Sequence, residues 1–305
     1  LYRCLRGFSA KPYTIPLVSD QPVRSRRAES REVIELRELR SAQPELASAV
    51  DLQIELVEIQ RRIQARVPLP WIQPDPEWLA AQHRAGRPVV RFKDIPLDWT
   101  DFRLAVRQTA DVLHRHQTLE TPEHREILVL GRDGNLLEPL VTAWYQTTSG
   151  VDDDSSHPAS SEKTSPGLDH VLVLAIRPFL ARCAEALTQR ADFSVWRHRR
   201  CPFCGWEPDF AVITSAGDRR LICGRCLAQW AFDPLSCPYC SNEDRTRITS
   251  FATRDGRYRV YACDVCLRYL KAYDGRNAAR SVIVAVDSIA TLPLDAAAMQ
   301  RGYVG

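Results

Sequence analysis

The sequence predicts a mainly α-helical N-terminal domain followed by two small β modules of the zinc-ribbon kind. Three observations carry this. Apolar residues recur at helical spacing up to about residue 195, whereas after Arg200 the chain turns to short β-type runs. Among those runs fall four Cys-x-x-Cys pairs: Cys201/Cys204, Cys223/Cys226, Cys237/Cys240 and Cys263/Cys266. Eight of the ten cysteines therefore lie within 66 residues.

Residues 1–22 read as irregular, broken by Pro12, Pro16 and Pro22. From Pro22 to Leu39 a single apolar stripe (Val33, Leu36, Leu39) runs along a charged rod. Pro44 opens a second helix reaching about Arg66, with Leu46, Val50, Ile54, Val57 and Ile63 on its buried side. Four prolines keep 67–76 from being helical, so it reads as an ordered crossing. Further helices are expected at about 76–85, 98–117, 137–148 and 168–191, the second capped by Asp98 or Thr100 and the last kinked at Pro178. The polar, low-complexity stretch at 149–167 reads as a mobile loop.

Beyond Arg200 the runs "FAVIT", "RRLIC", "RITSFA" and "YRVYAC" read as strands, with Asp255-Gly256 as a hairpin turn. Residues 276–305 hold the apolar run "SVIVAV" and a terminal helix interrupted at Pro293. The chain thus divides into a helical domain (1–195), two modules (196–232 and 233–275) and a C-terminal segment (276–305) packing back on the protein.

A two-residue gap lets both thiolates of a pair grip one ion from a single tight turn, and two such turns complete a tetrahedral site. Eighteen residues separate the first pair from the second, ten the second from the third and twenty-two the third from the fourth. This spacing predicts two successive sites: Cys201, Cys204, Cys223 and Cys226 in one, Cys237, Cys240, Cys263 and Cys266 in the other. Pro202 and Pro238 preset φ inside two of the turns. Gly205, directly after Cys204, can adopt the positive φ such a knuckle needs, while Leu227, Ser241 and Leu267 hold the matching places. Four thiolates suit zinc and a single rubredoxin-type iron equally. Disulfides suit a secreted chain, and a thioredoxin-like dithiol needs one pair in a βαβ setting. Both fit four interleaved pairs poorly.

At 305 residues, 45% hydrophobic and 26% charged, the composition is ordinary for a globular protein. From 193 onward sixteen Lys/Arg face eleven Asp/Glu, a tilt short of a nucleic-acid footprint, and a nucleic-acid partner is not expected. No apolar run is long enough to span a membrane, the N-terminal stretch has no signal-peptide pattern, and the twin Arg26-Arg27 precedes a charged segment, so a cytoplasmic protein is expected. No phosphate-binding glycine loop, Gly-x-Ser-x-Gly elbow or His-Glu-x-x-His run is present, and no catalytic residue is assigned. His114 and His116 point different ways on one helix and make poor co-ligands. Cys4 is isolated and Cys183 reads as a helix core residue. The basic string Arg197-His198-Arg199-Arg200 stands at the hinge into the β region; Arg197, Arg199 and Arg200 are candidate contacts for an acidic partner surface. Trp206 and Trp230 flank the knuckles and are expected to cover their small cores.

The motifs "CPFCGWEP" (201–208), "RRLICGRCLAQW" (219–230), "CPYC" (237–240) and "YACDVCLRYLKAYD" (261–274) resemble those of the formate dehydrogenase accessory protein family, the FdhE type. Weaker echoes are "SRRAES" (25–30) and "ATLPLD" (290–295). The resemblance implies a helical domain carrying two rubredoxin-like modules, with the eight paired cysteines as ligands to iron. It also implies a cytoplasmic, non-enzymatic maturation factor that binds the catalytic subunit of a respiratory formate dehydrogenase. Homo-oligomerisation is left open. Trp206-Glu207 departs from the family pattern, which has small residues after the first knuckle. The rival readings are a zinc-ribbon nucleic-acid-binding protein and a dithiol redox protein.

Overall fold

Helices come first in the chain, the sheet second, and two short helices follow it. A computed structural model describes residues 29–150, 164–276 and 278–305. The readings of 1–22, of Cys4, of Arg26-Arg27 and of most of the 149–167 loop fall outside the described residues.

Helix α1 (Arg31–Ala42) carries Val33, Leu36 and Leu39 of the expected stripe, and the Ser30 hydroxyl caps it by accepting from the Val33 N–H. A 3-10 turn at Pro44–Leu46 leads into α2 (Ala47–Gln64). Helix α3 (Pro76–Ala85) is capped by Asp75 and ends at Gly86 in the left-handed region. Asp98 caps α4 (Trp99–Arg115), whose Phe102, Ala105, Val106, Thr109, Ala110 and Leu113 form one buried stripe. Helices α5 (Thr121–Leu130), α6 (Gly134–Ser149) and α7 (Pro166–Thr188) follow. The core gathers where α2, α4, α6 and α7 meet, around Phe102, Tyr145, Leu172 and Phe179. Cys183 is fully buried there, and burial pushes its thiol far up, as suits a core residue.

The β region holds β1 (Pro208–Ile213), β2 (Arg219–Cys223), β3 (Gln229–Ala231), β4 (Ile248–Ala252), β5 (Tyr258–Cys263) and β6 (Tyr269–Asp274). Two antiparallel three-stranded meanders result, β1-β2-β3 and β4-β5-β6. They fuse into one sheet of order β3-β2-β1-β6-β5-β4 because β1 and β6 pair in parallel, Phe210 opposite Lys271 through Ile213 opposite Asp274. The Gly275 N–H extends that seam to the Ile213 carbonyl (2.8 Å). Arg219, nearly buried, holds the connection between the meanders by donating to the carbonyls of Asp233 and Ser236.

The apolar run near 281–286 enters α8 (Val284–Ala290) rather than remaining extended. Pro293 sits in the first turn of α9 (Leu292–Met299), where its missing N–H costs nothing. Helix α8 packs Val286 against Val33, Leu36, Val50 and Val57 of α1 and α2. The fully buried Asp287 accepts from Arg280 (2.7 Å) and Tyr258 Oη (2.7 Å).

At the end of β6, Asp274 accepts from Arg276 (2.6 Å) and Arg259 (2.8 Å), which hold its carboxyl well below the usual carboxylate range. The folded group titrates below the unfolded value of about 3.9, so this pairing stabilises fully above about pH 4 and fades as pH falls toward the folded value. Asp274→Asn is therefore expected to lower the urea midpoint near neutral pH, with the deficit shrinking in acid.

Candidate metal centres

Each Cys-x-x-Cys turn is built the same way. The residue after the second cysteine donates its N–H to the carbonyl of the first: Gly205 to Cys201 (3.0 Å), Leu227 to Cys223 (3.2 Å), Ser241 to Cys237 (2.9 Å) and Leu267 to Cys263 (2.9 Å). The first cysteine then donates its own N–H five residues on, to Trp206, Ala228, Asn242 and Arg268. Closing the loop requires a left-handed residue. Gly205 has φ +70°, and Leu227, Ser241 and Leu267 reach +62°, +62° and +56° without being glycine. Such a conformation costs an L-residue roughly 1–2 kcal/mol, so something must hold each turn shut. Ser241→Gly is accordingly expected to raise stability by about 1 kcal/mol in a chemical denaturation series, since Ser241 is exposed and its short side chain gives up little burial. Gly205→Ala should do the opposite, by several kcal/mol, because a methyl there would overlap the Ser149 carbonyl as well as strain φ.

The four turns meet two by two. Cys201, Cys204, Cys223 and Cys226 form one group and Cys237, Cys240, Cys263 and Cys266 the other, each with all sulfur atoms within 4.8 Å of one another. Across the turns the sulfurs lie 3.5 Å (Cys201–Cys226) and 3.4 Å (Cys204–Cys223) apart in site one, and 3.7 Å for both Cys237–Cys266 and Cys240–Cys263 in site two. A disulfide needs about 2.05 Å, which excludes S–S bonds here. A tetrahedron with arms of about 2.3 Å has edges of about 3.8 Å, the spacing a thiolate-bound ion requires. The residues therefore fit a tetrahedral metal ion, and either group can hold one.

Electrostatics agree. Burial pushes the Cys201 and Cys226 thiols well above their ordinary value, so a cation is what allows four thiolates in this pocket. At Cys204 burial also opposes ionisation, but hydrogen bonds from the neighbouring thiols and the charge of Arg225 outweigh it and bring the group well down. N–H groups of Arg225 and Cys226 both point at the Cys223 sulfur (3.4 Å each).

Site one is sewn into the helical domain. Val89 and Val90 donate to the carbonyls of Pro202 and Phe203 in the first knuckle (3.0 and 2.9 Å). Arg177 of α7 donates to the carbonyls of Gly224 and Arg225 in the second (2.7 and 3.4 Å). Arg225, between two cysteines, is fully buried, with its guanidinium 3.8 Å from the Trp206 ring centre and 4.6 Å from that of Trp144. It donates to Thr148 (2.7 Å) and Ser149 (3.2 Å), the last residues of α6. Trp206 thus earns its place as the lid of a cation cage, and Glu207 pairs with Arg268 (2.9 Å) and Arg200 (3.7 Å). Trp230 is buried and donates to the His198 carbonyl (3.0 Å).

The sequence points to the eight cysteines and misses Arg225 and Arg177. Arg225 carried a readable signal, since a large cation inside a knuckle needs an unusual neighbour. The predicted contacts Arg197, Arg199 and Arg200 are exposed, yet each donates within the chain: Arg197 to the Ser194 and Trp196 carbonyls, Arg199 to Tyr239 and Arg200 to Gly205. His114 and His116 stay apart: His114 stacks on His124 and His116 pairs with Glu55.

No family model matches the chain. A protein of Aquifex aeolicus named "Protein FdhE homolog" is 23% identical over 224 residues, covering 72% of each chain. A protein of the same name from Pectobacterium carotovorum is 29% identical over 133 residues, 42% of this chain and 43% of that one. Among solved structures, the crystal structure of the FdhE protein from Pseudomonas aeruginosa superposes with a TM-score of 0.61 over 90% of this chain and 91% of that one, at 21% identity. The structural likeness shows a shared fold, and the sequence relatives carry the FdhE name that the knuckle motifs pointed to. No helix among the described residues is long and apolar enough to cross a membrane.

Proposed function

We propose that this chain, of the FdhE type by its relatives and its fold, is a non-enzymatic accessory protein for the maturation of a formate dehydrogenase. The observation that carries the reading is the pair of Cys4 groups, site one braced directly against the helical body and site two joined to it through the shared sheet. Four protein thiolates around one ion leave no coordination position for a substrate, which favours a structural over a catalytic metal. A bound zinc or ferric ion would cross-link distant turns and neutralise the thiolates, supplying roughly 10 kcal/mol or more to a module too small to fold unaided. All eight paired cysteines act as ligands in this reading. The helices and the rim around Arg197, Arg199 and Arg200 form the face offered to the enzyme's catalytic subunit in the cytoplasm, before that subunit is exported.

Copurification tests it. Tagged chain should capture a formate dehydrogenase catalytic subunit, and Cys→Ala in either Cys4 group should abolish capture. Unchanged capture by those variants, or none by the parent chain, would count against it. Metal analysis with an absorption spectrum identifies the ion, since a ferric thiolate is coloured and zinc is not.

A further inference from the structure

The two Cys4 groups are alike in geometry and unlike in setting. All four sulfurs of site one are buried and belong to the main core, continuous with Phe102, Tyr145 and Phe179 of the helices. In site two only Cys237 and Cys263 are buried; Cys240 and Cys266 are partly open to solvent, and none of the four joins an apolar cluster. The turn carrying Cys266 is flanked by Val265 and Leu267, 52% and 53% exposed, while in site one the matching positions are Arg225, fully buried, and the half-buried Leu227. Opening site one means separating its second knuckle from Arg177 and from the Arg225 cage, and its first from Val89 and Val90. Site two is held differently. Arg199 of the hinge donates to the Tyr239 carbonyl in its first knuckle (2.6 Å). The tail after α9 ties its second, Tyr303 Oη donating to Asp264 (2.6 Å) and the Val304 N–H to the Leu267 carbonyl (2.7 Å). None of these partners lies in a helix.

We infer that the two centres differ in kinetic access: site two exchanges its metal with ligands arriving from solution through the side left open by Cys240 and Cys266, whereas site one holds its metal until the domain interface opens. This rests on reading the Cys4 groups as metal sites. An incoming thiol or chelating ligand approaches the ion of site two from the side of Cys240 and Cys266. Displacement needs the exposed turn at 265–267 to part from Tyr303 and Val304, not the helical domain to open. At site one the same ligand must wait for a sub-global opening, whose population is set by the helical clamp. Metal exchange and chelation in this protein are therefore assigned to the outer centre.

Full-length chain loaded with zinc and challenged with the colorimetric chelator 4-(2-pyridylazo)resorcinol tests this. Two ions per chain should leave in two phases of equal amplitude, the first at least about tenfold faster. Cys266→Ala should remove the fast phase and leave the slow one. Timed alkylation of the unmutated chain by N-ethylmaleimide, read by peptide mass spectrometry, should mark Cys240 and Cys266 before Cys201, Cys204, Cys223 or Cys226. Release in a single phase, or site-one cysteines labelled as early as Cys266, would overturn the asymmetry alone. A chain that binds no zinc or ferric ion would overturn both it and the metal reading beneath it.

Discussion

On the proposed metal reading, Cys204→Ala is expected to leave the chain able to hold one ion instead of two and to lower stability by on the order of 5 kcal/mol. Cys204 is fully buried, its sulfur 3.4 Å from that of Cys223, at the point where the first meander meets the helices. Three remaining thiolates make a weaker site, and the alanine leaves a gap in a core that cannot readily collapse, because Val89 and Val90 fix the knuckle backbone. A loss of that size approaches the whole stability of a typical domain, so the first meander should unfold along with its grip on α6 and α7. Cys183→Ala provides the control. Cys183 is equally buried but outside both groups, so that variant should keep two ions and lose only about 1 kcal/mol, the worth of a small apolar side chain. Native mass spectrometry counts the ions and urea unfolding by circular dichroism reads the stability. Two retained ions with an unchanged midpoint in the Cys204 variant would remove that cysteine from the centre.

The contrast between these cysteines shows which parts of the molecule were legible in the sequence. Ligand pairing is local and could be read, because a two-residue gap has few geometric outcomes. The strand at 258–263 and its Asp255-Gly256 turn are local too, and Gly256 takes the left-handed φ such a turn needs. Helix α5 escaped notice because its apolar residues Ile127, Leu128, Val129 and Leu130 run consecutively instead of recurring at helical spacing. Strand β6 was hidden by Lys271 amid its apolar residues; that lysine is satisfied by Asp295 of α9 (2.6 Å), a contact 24 positions away. The parallel seam of β1 and β6 joins residues about sixty positions apart through a whole intervening module, and no local pattern encodes it. Nor could the residue types show that Leu227, Ser241 and Leu267 would be driven into a glycine-like conformation. That follows from closing each knuckle with the N–H bond back to the carbonyl of its first cysteine, which overrides the residue's own preference.

Arg225→Ala is expected to loosen the whole β region from the helices, at a cost of about 4 kcal/mol. The side chain has no carboxylate within salt-bridge distance among the described residues, and its Nε lacks a hydrogen-bond partner there. What keeps the charge in place is distributed: the faces of Trp206 and Trp144, two hydroxyls, the negative end of α6 and the thiolate cluster beside it. Alanine removes all of these together and empties the cage between the two indoles. Lysine keeps the charge but not the planar fork, so Arg225→Lys should recover about half of the loss. A role confined to packing predicts instead that methionine, which fills similar volume without charge, would serve as well as lysine. Ranking the three variants by urea midpoint separates the two cases. Tryptophan emission reports whether Trp144 and Trp206 have become wet, and limited proteolysis near 190–200 reports whether the hinge has come free. If the cation matters through the thiolates, both lysine and arginine should slow zinc release from site one relative to methionine, while release from site two stays unmoved.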